Sequence, residues 1–333
     1  MYAPNGTDIG DLQVAELLKH ARPITGRALV DLIVWGWGVM LFGIAVYILF
    51  PNIITFAFAF AVVTSRMGAL LALAHEAQHA ALLPVKKWND IVGAWLCAYP
   101  VGSIFGSSRA VHMAHHKLLG TSDDPDRDFH LEENKATPRD FVLHFARRVF
   151  GGQLWTSIVE NGILRARRAE GSATQAVVIL NRKGHPEILN LVPVQIVIWG
   201  TLWLVSQQWW LYFVLWMLPI FTTGTFLGYL RGFVDHAKLS DDPAGGDMEG
   251  RLVTVLHCNF LERAYLAPYD FRYHAEHHMF PSVPHYYLPE LHKACQASAV
   301  LREKYLLRES YGRFLADYWH QIYHRVTQPV SEH

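Results

Sequence analysis

Long apolar runs separated by short turns set the layout of this chain. The first run covers about Leu32 to Phe50 and the second Ile53 to Ala74, with only Pro51-Asn52 between them. About 20 apolar residues span a bilayer core. A two-residue turn leaves no room for a domain, so the pair predicts a transmembrane hairpin. A second hairpin is predicted from about Ile188 to Val205 and from Trp209 to Tyr229, with Trp209 and Trp210 where an interfacial aromatic belt belongs. Trp88 to Phe105 is apolar too, but Gly93, Pro100 and Gly102 interrupt it, which predicts a re-entrant or interfacial segment. Arg66 stands inside the second run and reads as a snorkelling or helix-pairing arginine, with a direct catalytic role as the alternative.

The remainder is polar. The first twenty or so residues carry acids and read as a soluble lead-in, not a signal peptide. Tyr311 to Val326 has the apolar spacing of an amphipathic helix. The expected fold class is an all-α integral membrane protein of four transmembrane helices in two hairpins. One domain covers 1–333, with hairpins at about 32–74 and 188–230 and a helical cap from about 75–187 and 231–333. Basic residues stand before the first hairpin (Lys19, Arg22, Arg27), between the two (Lys86, Lys87, Arg147, Arg148, Arg165, Arg167, Arg168) and after the last run (Arg231), while neither hairpin turn carries one. By the positive-inside rule both termini and the cap face the cytoplasm.

Composition supports a membrane protein: 51% of residues are hydrophobic and 17% charged, against roughly 25% charged in a soluble domain. The formal charge of zero gives no footing for a nucleic-acid partner. Cys97, Cys258 and Cys295 are isolated, which excludes a disulfide framework and a self-contained iron–sulfur centre. Histidine is the unusual entry, at 19 residues.

Eight of those histidines fall into three clusters on the predicted cytoplasmic side: His75 and His79, then His112, His115 and His116, then His274, His277 and His278. Spacings of three and four residues place side chains on one face of a helix. Pro281 and Pro284 stop the last helix. Three such clusters on one side of a membrane point to metal binding. Eight ligands exceed what one ion takes and suggest two. Imidazole suits iron, zinc, copper and nickel, and spacing does not choose among them. His75-Glu76-Ala77-Gln78-His79 also matches the zinc-protease motif H-E-x-x-H, with Glu76 as general base on a metal-bound water. A membrane-embedded zinc hydrolase is therefore the alternative reading, and a non-catalytic metal-binding membrane protein a further one. Otherwise Glu76 and Glu276 are either carboxylates that orient ligating histidines or members of a solvated helix face.

The order H-x-x-x-H, H-x-x-H-H, H-x-x-H-H, with the Asp-Asp-Pro-Asp turn from Asp123 to Asp126 and the stretch Tyr273 to Pro284, resembles the membrane fatty-acid desaturase and hydroxylase superfamily, bacterial acyl-lipid desaturase-like proteins above all. The resemblance runs from about Ala74 to His292. It implies a non-haem di-iron centre, O2 as co-substrate, and desaturation or hydroxylation of a C–H bond in a fatty-acyl or other lipid-like substrate. It implies a ninth ligand, His236, just after the fourth span. It places Asp235 where many relatives have Glu, and Asn259 as a candidate for a water-mediated approach to one metal. External electrons are implied, from a ferredoxin or similar donor with its reductase, since no dinucleotide loop, iron–sulfur spacing or fused haem domain is present. The basic residues at 165–168 could dock an acidic donor, although a lipid-headgroup contact is the plainer reading. The bacterial inner membrane is the implied location. His130, His144, His185 and His257 match no family role.

Overall fold

The computed structural model describes residues 9–121, 123–126, 136–150, 187–242 and 252–327. The described chain is nearly all helical, as expected, with one addition: two strands of three residues each, β1 (Val253–Val255) and β2 (Leu306–Arg308), pair in parallel with Val253 opposite Leu306. Among the described residues, four helices are long and apolar enough to cross a membrane: α2 (Thr25–Leu49), α3 (Ile53–Gln78), α7 (Ile188–Ser206) and α8 (Phe213–His236). Each expected run is present, and three of them extend past the apolar stretch that predicted them. Helix α3 continues through His75, and α8 continues beyond Arg231 to His236, because intrahelical hydrogen bonding does not stop where the apolar residues do. The chain divides into two compact units, one of Pro23–Ala114 with Arg147–Gly228 and one of Met1–Arg22, His115–Ala146 and Tyr229–His333.

In the unit built on Pro23–Ala114, the α2–α3 hairpin turns on Asn52. Its Oδ1 accepts from the amides of Ile54 (2.9 Å) and Thr55 (3.1 Å), while its own amide donates to Thr55 Oγ1. This capping box satisfies amide groups that a helix start leaves without partners. The two helices approach closely at Gly43, where a Cβ would lie 2.8 Å from Val62 Cγ1, the small-residue packing typical of helix pairs in lipid. Arg66 is a helix-pairing arginine: it donates to the Trp35 carbonyl of α2 (3.2 Å) and to Ser65 Oγ (2.7 Å).

The interrupted apolar segment forms α4 (Lys86–Val101), bent by 97° from α5 (Phe105–Leu118), a pair apolar enough to be a broken span or a re-entrant loop. Gly102, at φ +77°, makes the break. Helix α4 lies against the end of α3 at Gly93, where a Cβ would fall 2.3 Å from Ala77 Cβ. The fully buried Asn89 binds the chain leaving α3. It donates to Ala77 O (2.8 Å) and accepts from the amides of Leu82 (3.2 Å) and Leu83 (3.1 Å). Arg109 of α5 donates to the same Ala77 carbonyl and to Asp90. The C-terminal end of α3 is thus clamped from two directions.

In the other unit, the lead-in is a packed element. Helix α1 (Ile9–His20) buries Val14, and Ala21 follows it into a core shared with Ala275, Leu288, Leu291, Ala294 and Cys295. Ser298 donates to Asp11 Oδ1 (2.7 Å), and Gly10 passes so close to Ser298 that a Cβ would meet its backbone nitrogen at 2.1 Å. Helices α9 (Phe260–Tyr265), α10 (His274–Met279), α11 (Leu288–Ala297) and α12 (Tyr311–Thr327) complete this unit, with α6 (Pro138–Val149) reaching it at its first turns. Helix α12 is amphipathic as expected, burying Tyr311, Phe314, Tyr318 and Ile322. Tyr318 meets Phe233 edge-on at 4.8 Å between ring centroids. The basic residues at 165–168, His130 and His185 lie outside the described residues.

Candidate metal centre

Helix geometry brings His75 and His79 together. They occupy the last turn of α3 and its C-cap, and their ring centroids are 5.2 Å apart. His112 of α5 joins them, at 4.2 Å from His75 and 4.9 Å from His79. The Nε2 atoms of His79 and His112 are 2.8 Å apart, and one ring nitrogen from each of the three lies within 4.8 Å of the others. Burial pushes His79 down to about 4, with the Arg109 guanidinium adding to the effect. The ring is therefore neutral, the form that binds metals.

The unit of Tyr229–His333 holds a second group. His236 stands in the last turn of α8, His274, His277 and His278 on α10, and His115 and His116 near the end of α5. Ring nitrogens of His115, His236 and His278 lie within 4.8 Å of one another. His115 Nε2 is 3.2 Å from His236 Nε2, which is 2.9 Å from His274 Nε2, which is 3.0 Å from His278 Nε2. His116 stacks on His278 at 4.0 Å and approaches His277 at 5.2 Å between centroids.

This arrangement suits a cation better than a hydrogen-bond network. A neutral imidazole has one N–H and one lone pair. His115 spends its N–H at Nδ1, which donates to Asp124 Oδ1 at 2.9 Å, so its Nε2 offers a lone pair to other ring nitrogens. Burial holds His274 and His278 well below the ordinary histidine range, and neighbouring histidines add to it. Protonation therefore does not relieve the crowding. Separations of 2.9 to 3.2 Å also match the roughly 3 Å edge between ligands on a first-row ion with bonds of about 2.1 Å. The donor set is all nitrogen, which suits iron, zinc, copper or nickel. Cysteine is not a competitor at Cys258 or Cys295: burial pushes their thiols up to about 11 and about 12.

Carboxylates stand behind these rings. Asp124, in the acidic turn after α5, was not among the expected site residues; that turn was the signal that could have found it. Asp235 is buried on α8, where Arg231 Nε (3.0 Å) and Tyr311 OH (3.3 Å) donate to it, and its Oδ2 faces His274 Nδ1 at 3.8 Å. Glu76 and Glu276 are buried, so neither belongs to a solvated helix face. Glu276 takes a different place from a carboxylate paired to a ligand ring. It accepts from the Thr254 hydroxyl of β1 and pairs with His292 Nδ1 of α11 at 2.5 Å. The reason is direction: Glu276 lies two residues from His274 and His278, about 200° around a helix of 3.6 residues per turn. It anchors the back of α10. His292 is a residue the sequence reading passed over. Asn259, expected as a candidate for a water-mediated approach to one metal, stands at a helix start. It is exposed and caps α9, with Oδ1 accepting from the Glu262 amide at 3.0 Å and Glu262 answering to the Asn259 amide.

Comparison with known proteins finds two relatives and one family. The matched part of the chain is 25% identical over 241 residues to the dihydrorhizobitoxine desaturase of Bradyrhizobium elkanii, covering 68% of this chain and 62% of that protein's length. It is 25% identical over 231 residues to a beta-carotene ketolase of a Paracoccus species, covering 66% of this chain and 72% of the ketolase. The family described as fatty acid desaturase matches residues 50–311, which include all nine candidate histidines. The chain belongs to the fatty acid desaturase family.

Proposed function

We propose that the nine histidines hold a non-haem di-iron centre and that the protein is an oxidoreductase acting with O2 on a C–H bond of a fatty-acyl or other lipid-like substrate. The product is a double bond or, as the second outcome, an alcohol. The observation that carries this reading is the turning of His115, His236, His274 and His278 Nε2 atoms upon one another in an all-nitrogen set, the first three rings buried and His278 half-buried. Bound iron supplies the one-electron and O2 chemistry that side chains lack.

The chain's own residues hold and orient. His115, with Asp124 behind it, keeps a lone pair on Nε2. Asp235 faces the far side of His274, and Glu276 seats α10. The apolar helices supply a setting for a lipid-like substrate. Family membership and two relatives named as a desaturase and a ketolase support oxidation. In this reading the chain acts as one desaturase-like domain in the bacterial inner membrane, with termini and metals cytoplasmic by its basic-residue distribution. Electrons come from a ferredoxin or similar donor with its reductase. Asn259, as a helix cap, takes no metal role.

The zinc-hydrolase alternative retains one point in its favour: His112 gives His75 and His79 a third nitrogen beside Glu76. It leaves the group around His236 without work. Metal analysis of purified protein separates the readings. Two irons per chain are expected, with reductant-dependent O2 uptake on lipid addition, and His277→Ala abolishes that uptake. One zinc and no iron, or unchanged uptake in the variant, sinks the proposal. Mass spectrometry of lipids from cells with and without the gene identifies the substrate.

A further inference from the structure

The acidic turn after the second histidine cluster brings one carboxylate, that of Asp124, against the back of the His115 ring. We propose that Asp124 is a positioning residue for His115: it holds the proton on Nδ1 and aims the Nε2 lone pair at the ion bound by the His115, His236 and His278 group. This rests on the di-iron reading above and adds to it a residue that sets how tightly one ion is held.

The local chain is built to bring this carboxylate back. Gly120, at φ +84°, ends α5 in the left-handed conformation. Thr121 then folds against the helix end, its amide and hydroxyl both donating to Leu118 O at 2.9 and 2.7 Å. The Asp124 amide donates to Thr121 O at 3.3 Å, and the loop returns to His115. Pro125 follows Asp124 and restricts it to extended backbone. The Asp126 amide donates to Asp124 Oδ1 at 2.9 Å, an Asx turn that fixes the carboxylate before any metal arrives. His115 and Asp124 are both buried, at 3% and 5% exposure, so water does not compete for the contact. Asp126 Oδ2 stays 3.8 Å from His115 Nδ1, too far for a hydrogen bond.

Two consequences follow for the ion. The pairing selects the tautomer, so His115 needs no rearrangement on binding. The negative charge behind the ring makes Nε2 a stronger donor to a cation, and a charged acceptor holds Nδ1–H about twice as strongly as a neutral one. Removing a carboxylate from such a pair typically costs about 10- to 100-fold in metal affinity.

Asp124→Asn separates this role from a purely structural one. The asparagine keeps an oxygen for the Asp126 amide, and with it the Asx turn, but loses the charge. Metal-free parent, Asp124→Asn and Asp126→Asn in detergent are titrated with Co2+, followed by visible absorbance, and their melting temperatures are compared without metal. The expected result is two ions in the parent. In Asp124→Asn one of the two binds about 10- to 100-fold more weakly, the metal-free protein still folds with a melting temperature only modestly lowered by the weaker Nδ1–H bond, and Asp126→Asn titrates like the parent. Two ions at parental affinity in Asp124→Asn overturn the proposal while leaving the di-iron reading standing. An Asp124→Asn protein that no longer folds without metal makes Asp124 a folding residue and also overturns it. A parent that takes up no cobalt removes the di-iron reading and this one together.

Discussion

His274 and His278 show what burial does to a single side chain. Both are held well below their ordinary range because a charged ring would be desolvated, with neighbouring histidines adding to the cost. In the unfolded chain they take up protons near about pH 6.5; in the folded, metal-free protein they do not. Below that pH the unfolded state binds more protons than the folded one, so stability falls as pH falls. The metal-free protein should therefore melt at a clearly lower temperature at pH 5 than at pH 7.5. Equal melting temperatures at the two values would contradict the neutral, buried state of these rings. Asn259 offers the contrasting case of an exposed residue whose side chain is engaged at a helix start. As the cap of α9, its change to Ala should cost about 1 kcal/mol and leave metal content unaltered; loss of metal in a stable Asn259→Ala protein would restore it to the site.

Elements position the histidines through backbone approach. His75 and His79 lie where α3 ends, and that end is held by Asn89, Arg109 and the contact of Gly93 with Ala77. A side chain at Gly93 has nowhere to go, because the obstacle is the Cβ of a buried helix and not a flexible tip. Gly93→Val should destabilise by about 1–3 kcal/mol, the usual range for overpacking, and should lower the metal bound. Gly26→Ala, where nothing lies within 4 Å, is the matched control and should melt at or slightly above the parent. A Gly93→Val protein as stable as the parent would show that this clamp does not fix α3. At this scale periodicity served well for α3, α7 and α12, whose apolar positions face one direction or all directions without a break. It served poorly for α1. Its packed face is short, with Val14, Leu17 and Leu18 set among acids and lysine, and only the core it joins shows that this soluble stretch is a packed helix.

For the molecule as a whole, metal binding and folding should be coupled. An ion that binds only the native state stabilises it by about 2.7 kcal/mol at a hundredfold excess over its dissociation constant. Returning Fe2+ to chelator-stripped protein should raise its melting temperature up to two equivalents and no further. A melting curve indifferent to iron would mean that the histidines do not hold it. The sequence by itself determined the membrane-crossing helices, because lipid demands apolar length and a satisfied backbone that only a few patterns supply. It also determined the histidines and their helical faces, because spacing along one helix is a local property. Tertiary structure alone decided which groups meet across the chain: Asp124 with His115, Glu276 with His292, Tyr311 with Asp235. Those pairs depend on the path of loops and the direction of helix faces, and residues 16 or 76 positions apart carry no mark of one another until the backbone between them is folded.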